Sequence, residues 1–158
     1  MKRDNPALAV TVSFQWDVMS KSGGVGLLKQ FSGIIDVYSF TSYPDAFDNA
    51  APEVPDDYFA GIRKALPESR VGISELGWSS APPGSQHSQA DFMRRIPALT
   101  KELHAEYVML AELHDVPVFS DARERLNSVG LRTVDDIAKE SWNVVVELPR
   151  VALTIAHR

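Results

Sequence analysis

Four stretches of this chain are largely apolar and rich in β-branched or aromatic residues: Leu8 to Gln15, Ile34 to Phe40, Arg70 to Leu76 and Glu106 to Leu113. Runs of this kind predict strands buried on both faces, because a strand with one wet face alternates. The fourth fits least well, since it carries Glu and Met. Between the runs the apolar spacing changes to three and four. Leu27 to Phe31 predicts a short helix. Phe59, Ile62 and Leu66 predict a second, led in by Asp56-Asp57 and stopped at Pro67. Phe92, Ile96, Leu99 and Leu103 predict an amphipathic third helix, kinked at Pro97. Val134 to Leu148 predicts a last one. Gly23-Gly24-Val25-Gly26 lacks the spacing and the lysine of a phosphate loop and reads as a turn. Pro44, Pro52 and Pro55 mark another loop.

Strands that alternate with helices are parallel strands joined by crossovers. An open parallel sheet fits this order, and so does part of a (β/α)8 barrel. A whole barrel takes ~250 residues. The chain has 158, enough for about four βα units. No internal boundary or tandem repeat divides it, so residues 1–158 read as one α/β domain, a partial barrel.

Composition narrows the partners. The net charge is -5, and phosphate binders need a basic face, so nucleic acid is not the expected partner. There are no cysteines, which removes disulfides and thiolate metal sites. No apolar run approaches the ~20 residues of a membrane span. The opening Met-Lys-Arg-Asp-Asn-Pro has no signal-peptide pattern after it. Localisation is left open by these features, and no metal ligand set or cofactor motif is evident.

In parallel α/β folds the functional groups gather at the carboxyl ends of the strands. Here those ends read Gln15-Trp16-Asp17, Thr41-Ser42-Tyr43-Pro44, Glu75-Leu76-Gly77-Trp78 and Glu112-Leu113-His114-Asp115. Glu75 follows a buried run, so its carboxylate is rigidly held. Such a group can attack an anomeric carbon and stabilise positive charge on a sugar. It could equally be an ion-paired strand terminus. Tyr43 could donate its hydroxyl to Glu75 from the neighbouring strand, or pack in its loop beside Pro44. Trp78 could stack on a sugar ring or plug the core. Trp16 and Gln15 are candidates to line the site. Glu112 faces the mouth or caps a helix. His114 and Asp115 point apart on an extended segment and read as loop residues rather than a ligand pair. Asp36, early in its strand, reads as a structural hydrogen-bonding group.

Three segments carry a resemblance: Ile35-Asp-Val-Tyr-Ser-Phe-Thr-Ser-Tyr-Pro44, Val71-Gly-Ile-Ser-Glu-Leu-Gly-Trp78 and Leu113-His-Asp-Val-Pro117. They resemble the last strands of the clan A (4/7 superfamily) TIM-barrel glycoside hydrolases, with endo-galactanase-like members nearest, over roughly residues 8 to 148. The resemblance implies strands five to eight, a carbohydrate substrate, Glu75 as the nucleophile of a retaining reaction, Tyr43 as its hydrogen-bond donor and Trp78 beside a sugar subsite. Two departures stand out. The family's acid/base is a Glu, usually after Asn, on the fourth strand, and this sequence has no Asn-Glu pair. The last strand also lacks the tryptophan many relatives carry. The implied chain is therefore half of a site, inactive alone. The competing reading is a non-catalytic carbohydrate-binding half-barrel that self-associates through its exposed edges. A complete small open-sheet domain is a third.

Overall fold

Four short strands form one sheet in the computed structural model: β1 (Thr11–Gln15), β2 (Val37–Ser42), β3 (Arg70–Leu76) and β4 (Val108–Leu110). The structure describes residue 5 and residues 7–47, 54–121 and 123–148. Pro52 and both ends of the 1–158 domain lie outside them. The strand order is β1-β2-β3-β4, and every pair is parallel. Among the described residues five α-helices accompany the strands: α1 (Trp16–Ser22), α2 (Pro44–Phe47), α3 (Ala60–Ala65), α4 (Gln86–Lys101) and α5 (Glu140–Glu147). Two 3-10 segments, Gly24–Phe31 and Glu124–Ser128, lie between them.

The strand-helix alternation makes two layers, a parallel sheet with helices packed on one face. Tyr38, Phe40, Val71, Ile73 and Leu76 on the strands join Leu28, Ile62, Leu66, Phe92, Met93, Ile96 and Leu99 from the helical layer in one apolar cluster. Burying this layer is the main favourable term in the fold. The opposite face of the sheet is different. Ser13 and Ser74 share a hydrogen bond across it at 2.7 Å, and the Tyr107 hydroxyl meets Ser39 at 2.8 Å. The Tyr107 ring lies where a side chain on Gly72 would stand, 2.4 Å from an ideal Cβ. Only glycine allows that approach.

Several expected boundaries move. The third strand is observed where expected, Arg70–Leu76. The first and fourth are shorter, and the second is displaced to Val37–Ser42. Helix α1 starts directly on the last residue of β1, with Gly23 closing it in the left-handed region at φ 73°. The segment after it is 3-10 rather than a plain turn. Asp56 and Asp57 do not cap α3, whose N-cap is Phe59. Ser85 caps α4 in a reciprocal capping box with Ser88. The last helix begins at Glu140, not Val134, because residues 132–138 turn back on themselves. Arg132 bridges to His114 and Ala138, and Asp136 takes φ 62°.

Candidate functional site

The paired ends of β2 and β3 bring the first two candidates together. Thr41 and Glu75 are register partners, after a shift in the ladder beyond Phe40. Tyr43 follows β2 by one residue, and its hydroxyl donates to Glu75 Oε2 at 2.7 Å. The Tyr43 ring lies against the backbone of Gly77, where an added Cβ would stand 2.7 Å from two ring carbons. The glycine two residues past Glu75 therefore makes room for the tyrosine that contacts it. Burial raises the Tyr43 pKa, and the adjacent Glu75 carboxylate raises it further. The phenol thus stays protonated and acts as a donor. Glu75 itself is exposed at the end of the sheet.

A buried carboxylate underlies this pair. Asp17 is 1% exposed. Its Oδ1 accepts from Ser42 Oγ at 2.8 Å and from the Tyr58 hydroxyl. Its Oδ2 accepts from Gln15 Nε2 at 2.6 Å and from the Tyr43 backbone N–H at 2.8 Å. Gln15 Oε1 in turn accepts from Thr41 Oγ1 at 2.5 Å. Gln15 is half-buried, and its amide is committed to these two neighbours. Asp17 was not a candidate from sequence. The signal available was an acidic residue in the first turn after a strand, but only if α1 is known to begin there.

Glu112 lies past β4, half-buried. Its Oε2 is buried without a hydrogen-bond partner among the described residues. Burial raises its pKa, and the charges of Asp115 and Glu75 add to the effect. This is a carboxyl that gains by holding its proton, within electrostatic reach of Glu75.

Of the two readings of Trp78, sugar stacking or core packing, burial favours the second, and Trp16, a candidate to line the site, is buried as well. Trp16 is 3% exposed and Trp78 is 4% exposed. The Trp16 indole N–H donates to the Tyr58 carbonyl at 3.1 Å, and its ring fits over Gly61, 2.8 Å from an ideal Cβ there. Trp78 stacks on Phe92 of α4, with centroids 4.9 Å apart. Both rings are turned into the layer between sheet and helices, and Trp78 also borders a cavity with Val54, His87 and Arg95.

Buried polar groups fix the loops at this end of the sheet. Asp45 Oδ2 accepts from the Ser79 N–H and from Arg125, each at 2.9 Å. Gln89 donates to the Trp78, Val129 and Gly130 carbonyls. Lys139, 2% exposed, pairs with Asp115 at 2.6 Å and donates to Ser80 Oγ at 2.9 Å. His114 instead meets Asp136, so His114 and Asp115 have separate partners. Asp36 accepts from the Val10 N–H at 2.7 Å. No group of three His, Asp or Glu residues is placed to hold a metal ion among the described residues. No described helix is long and apolar enough to cross a membrane.

No family model and no curated protein sequence matches the chain. Solved structures do match its fold. A glycoside hydrolase family 17 β-1,3-glucanosyltransferase from Rhizomucor miehei superposes with a TM-score of 0.65 at 14% identity, over 90% of this chain and 53% of that one. A Clostridium thermocellum endo-1,4-β-D-xylanase with a GH10 module gives 0.63 at 12%, over 89% of this chain and 29% of that one. A Cellvibrio japonicus xylanase gives 0.61 at 14%, over 92% and 51%. The chain spans about half the length of the first and third of these. The fold is thus α/β, four parallel βα units of the kind found in glycoside hydrolase barrels.

Proposed function

We propose that the chain is the strand-five-to-eight half of a retaining glycoside hydrolase of clan A, with Glu75 as nucleophile and Tyr43 holding it. The observation that carries this reading is the 2.7 Å hydrogen bond from Tyr43 to an exposed carboxylate at the end of β3. One Glu75 oxygen is fixed by the phenol, and the exposed carboxylate stands at the end of the sheet where a sugar would lie. The matching structures support a carbohydrate substrate, since they include a complex with xylohexaose and one with laminaritriose. The finer likeness to endo-galactanases rests on the sequence motifs alone. Gln15 and Glu112 remain candidates to line the subsite.

Retaining hydrolysis needs two carboxyl groups about 5–5.5 Å apart, one of them an acid that protonates the leaving group. Glu75 supplies attack and charge stabilisation only. A substrate whose leaving group departs without a proton isolates that half of the reaction. We therefore specify 2-deoxy-2-fluoro glycosyl fluorides of glucose, galactose and xylose. Glu75 forms a C–O bond to the anomeric carbon, the C–F bond breaks, and fluoride leaves with the electron pair. The expected result is a glycosyl ester on Glu75, located by mass spectrometry and absent in Glu75→Gln. An unlabelled wild type, or labelling that survives Glu75→Gln, overturns the assignment. Turnover of a natural polysaccharide by the chain alone, lost in Glu75→Gln, overturns the claim that the site is incomplete.

A second reading is a non-catalytic half-barrel that pairs with another copy. It is favoured by one observation: β1 and β4 each pair along a single edge among the described residues, and Val108, Met109 and Leu113 are exposed beside the β4 edge. Sedimentation at several concentrations separates a compact dimer from a monomer.

A further inference from the structure

We propose that Asp17 is a positioning residue for Glu75, acting through Tyr43. The proposal rests on the nucleophile reading above and adds a residue that the fold places below the reacting group rather than beside it. Four donors converge on Asp17, and they come from three places: Gln15 at the end of β1, Ser42 and Tyr43 at the end of β2, and Tyr58 ahead of α3. A carboxylate this deeply buried is costly unless each oxygen is satisfied. Here both oxygens accept two bonds.

The arrangement fixes Tyr43 at three points. Its N–H is held by Asp17 at 2.8 Å, its ring rests in the space left by Gly77, and its hydroxyl is on Glu75 at 2.7 Å. The residue before it, Ser42, is held by the same carboxylate, through its hydroxyl. Pro44 follows and has no N–H to offer a competing bond. Removing the Asp17 acceptors frees the backbone from which the tyrosine ring projects. The Glu75 oxygen then loses its fixed donor although nothing that touches Glu75 has been changed. The charge of Asp17 also disfavours ionisation of Tyr43, which keeps the phenol a donor.

The test reads the rate of covalent labelling by the 2-fluoro glycosyl fluoride that modifies the wild type, separated into kinact and KI. Variants are Asp17→Asn, Tyr43→Phe, their double, and Asp45→Asn as a second buried carboxylate, whose side chain bonds to Ser79 and Arg125 rather than to Tyr43 or Glu75. Misplacement of a reacting group by about 1 Å costs on the order of 100-fold. Asp17→Asn is expected to lower kinact roughly 10- to 100-fold with KI within about twofold. The double variant is expected to be no slower than Tyr43→Phe. Asp45→Asn is expected to label at the wild-type rate. If Asp17→Asn loses no more rate than Asp45→Asn, the positioning role is overturned while Glu75 keeps its assignment. If the double variant is slower than Tyr43→Phe, Asp17 does not act through Tyr43 and the proposal is overturned. If the wild type is not labelled at Glu75, the nucleophile reading fails and takes this inference with it. Should Asp17→Asn not fold, Ser42→Ala removes one of the four donors and leaves the carboxylate. A several-fold fall in kinact then supports the proposal, and an unchanged kinact overturns it.

Discussion

Asp45→Asn should make the protein's stability relative to wild type depend on pH, in a direction that follows from a contest inside one buried ion pair. Asp45 is 2% exposed. Arg125 and the Ser79 N–H favour its charged form, but burial outweighs them, and its pKa is pushed up from 3.8 to about 6. Part of the reason is visible in the geometry. Oδ2 takes both bonds, while Oδ1 is buried with no hydrogen-bond partner among the described residues. Because the folded state holds this proton more tightly than the unfolded chain, the folded state binds more protons between pH 3.8 and about 6. Stability from this group therefore falls as pH rises through that window. A difference of about two units corresponds to about 3 kcal/mol. The asparagine variant has no such proton. It should gain about 3 kcal/mol on wild type between roughly pH 3.5 and 7, whatever its offset at low pH. Urea unfolding of both proteins at half-unit steps measures this, and contributions of other groups cancel in the difference. A flat difference shows that burial and ion pairing balance. A difference of the opposite sign shows that the Arg125 attraction dominates, and the reasoning from desolvation fails.

Two further predictions concern the same end of the sheet. Gly77→Ala places a methyl 2.7 Å from the Tyr43 ring, against the 3.5–4.0 Å that carbon contacts prefer, so the ring moves by about 1 Å. Its labelling rate should fall to that of Tyr43→Phe, and labelling at the wild-type rate refutes the packing argument. Lys139→Met leaves the Asp115 carboxylate without its buried partner at 2.6 Å; the expected loss is about 3 kcal/mol in urea unfolding, and Asp115→Asn in the same background should recover part of it. A loss under about 1 kcal/mol shows that the pair is dispensable.

The strand most legible in the sequence was the one whose apolar residues are deepest in the core. Strand β3 is central, and Val71, Ile73 and Leu76 are each 0–1% exposed, so its limits follow from apolarity alone. Strand β4 is an edge. Val108 and Met109 are 37% and 51% exposed, and the apolar run there does not report where pairing stops. Helix α5 starts late for a tertiary reason: Lys139 is drawn into the Asp115 and Ser80 contacts, which no local pattern reveals. Helix α1 was hidden because no turn separates it from β1.

The candidate site divides along the same line. Glu75 and Tyr43 could be named because each stands at the end of a strand, Glu75 within β3 and Tyr43 just past β2, and parallel pairing brings the ends of adjacent strands together. Their contact needs only the register of β2 on β3. The tryptophans follow strand ends as well, yet they point into the core. Residue type and position fix that an aromatic stands there, but its direction is set by the helix behind it: α1 carries Trp16 inward, and Phe92 of α4 draws Trp78 outward from the mouth. Asp17 illustrates the converse case. It sits one residue past Trp16 and has an unremarkable sequence context, yet four donors from three places in the chain meet on it. Strand-end chemistry can thus be read from one sequence, whereas the groups that aim it depend on which side chains the second layer folds beneath it. On that argument a substitution that spares Glu75 and Tyr43 but disturbs Asp17 or Gly77 should displace the donor from Glu75, with Glu75 itself unchanged.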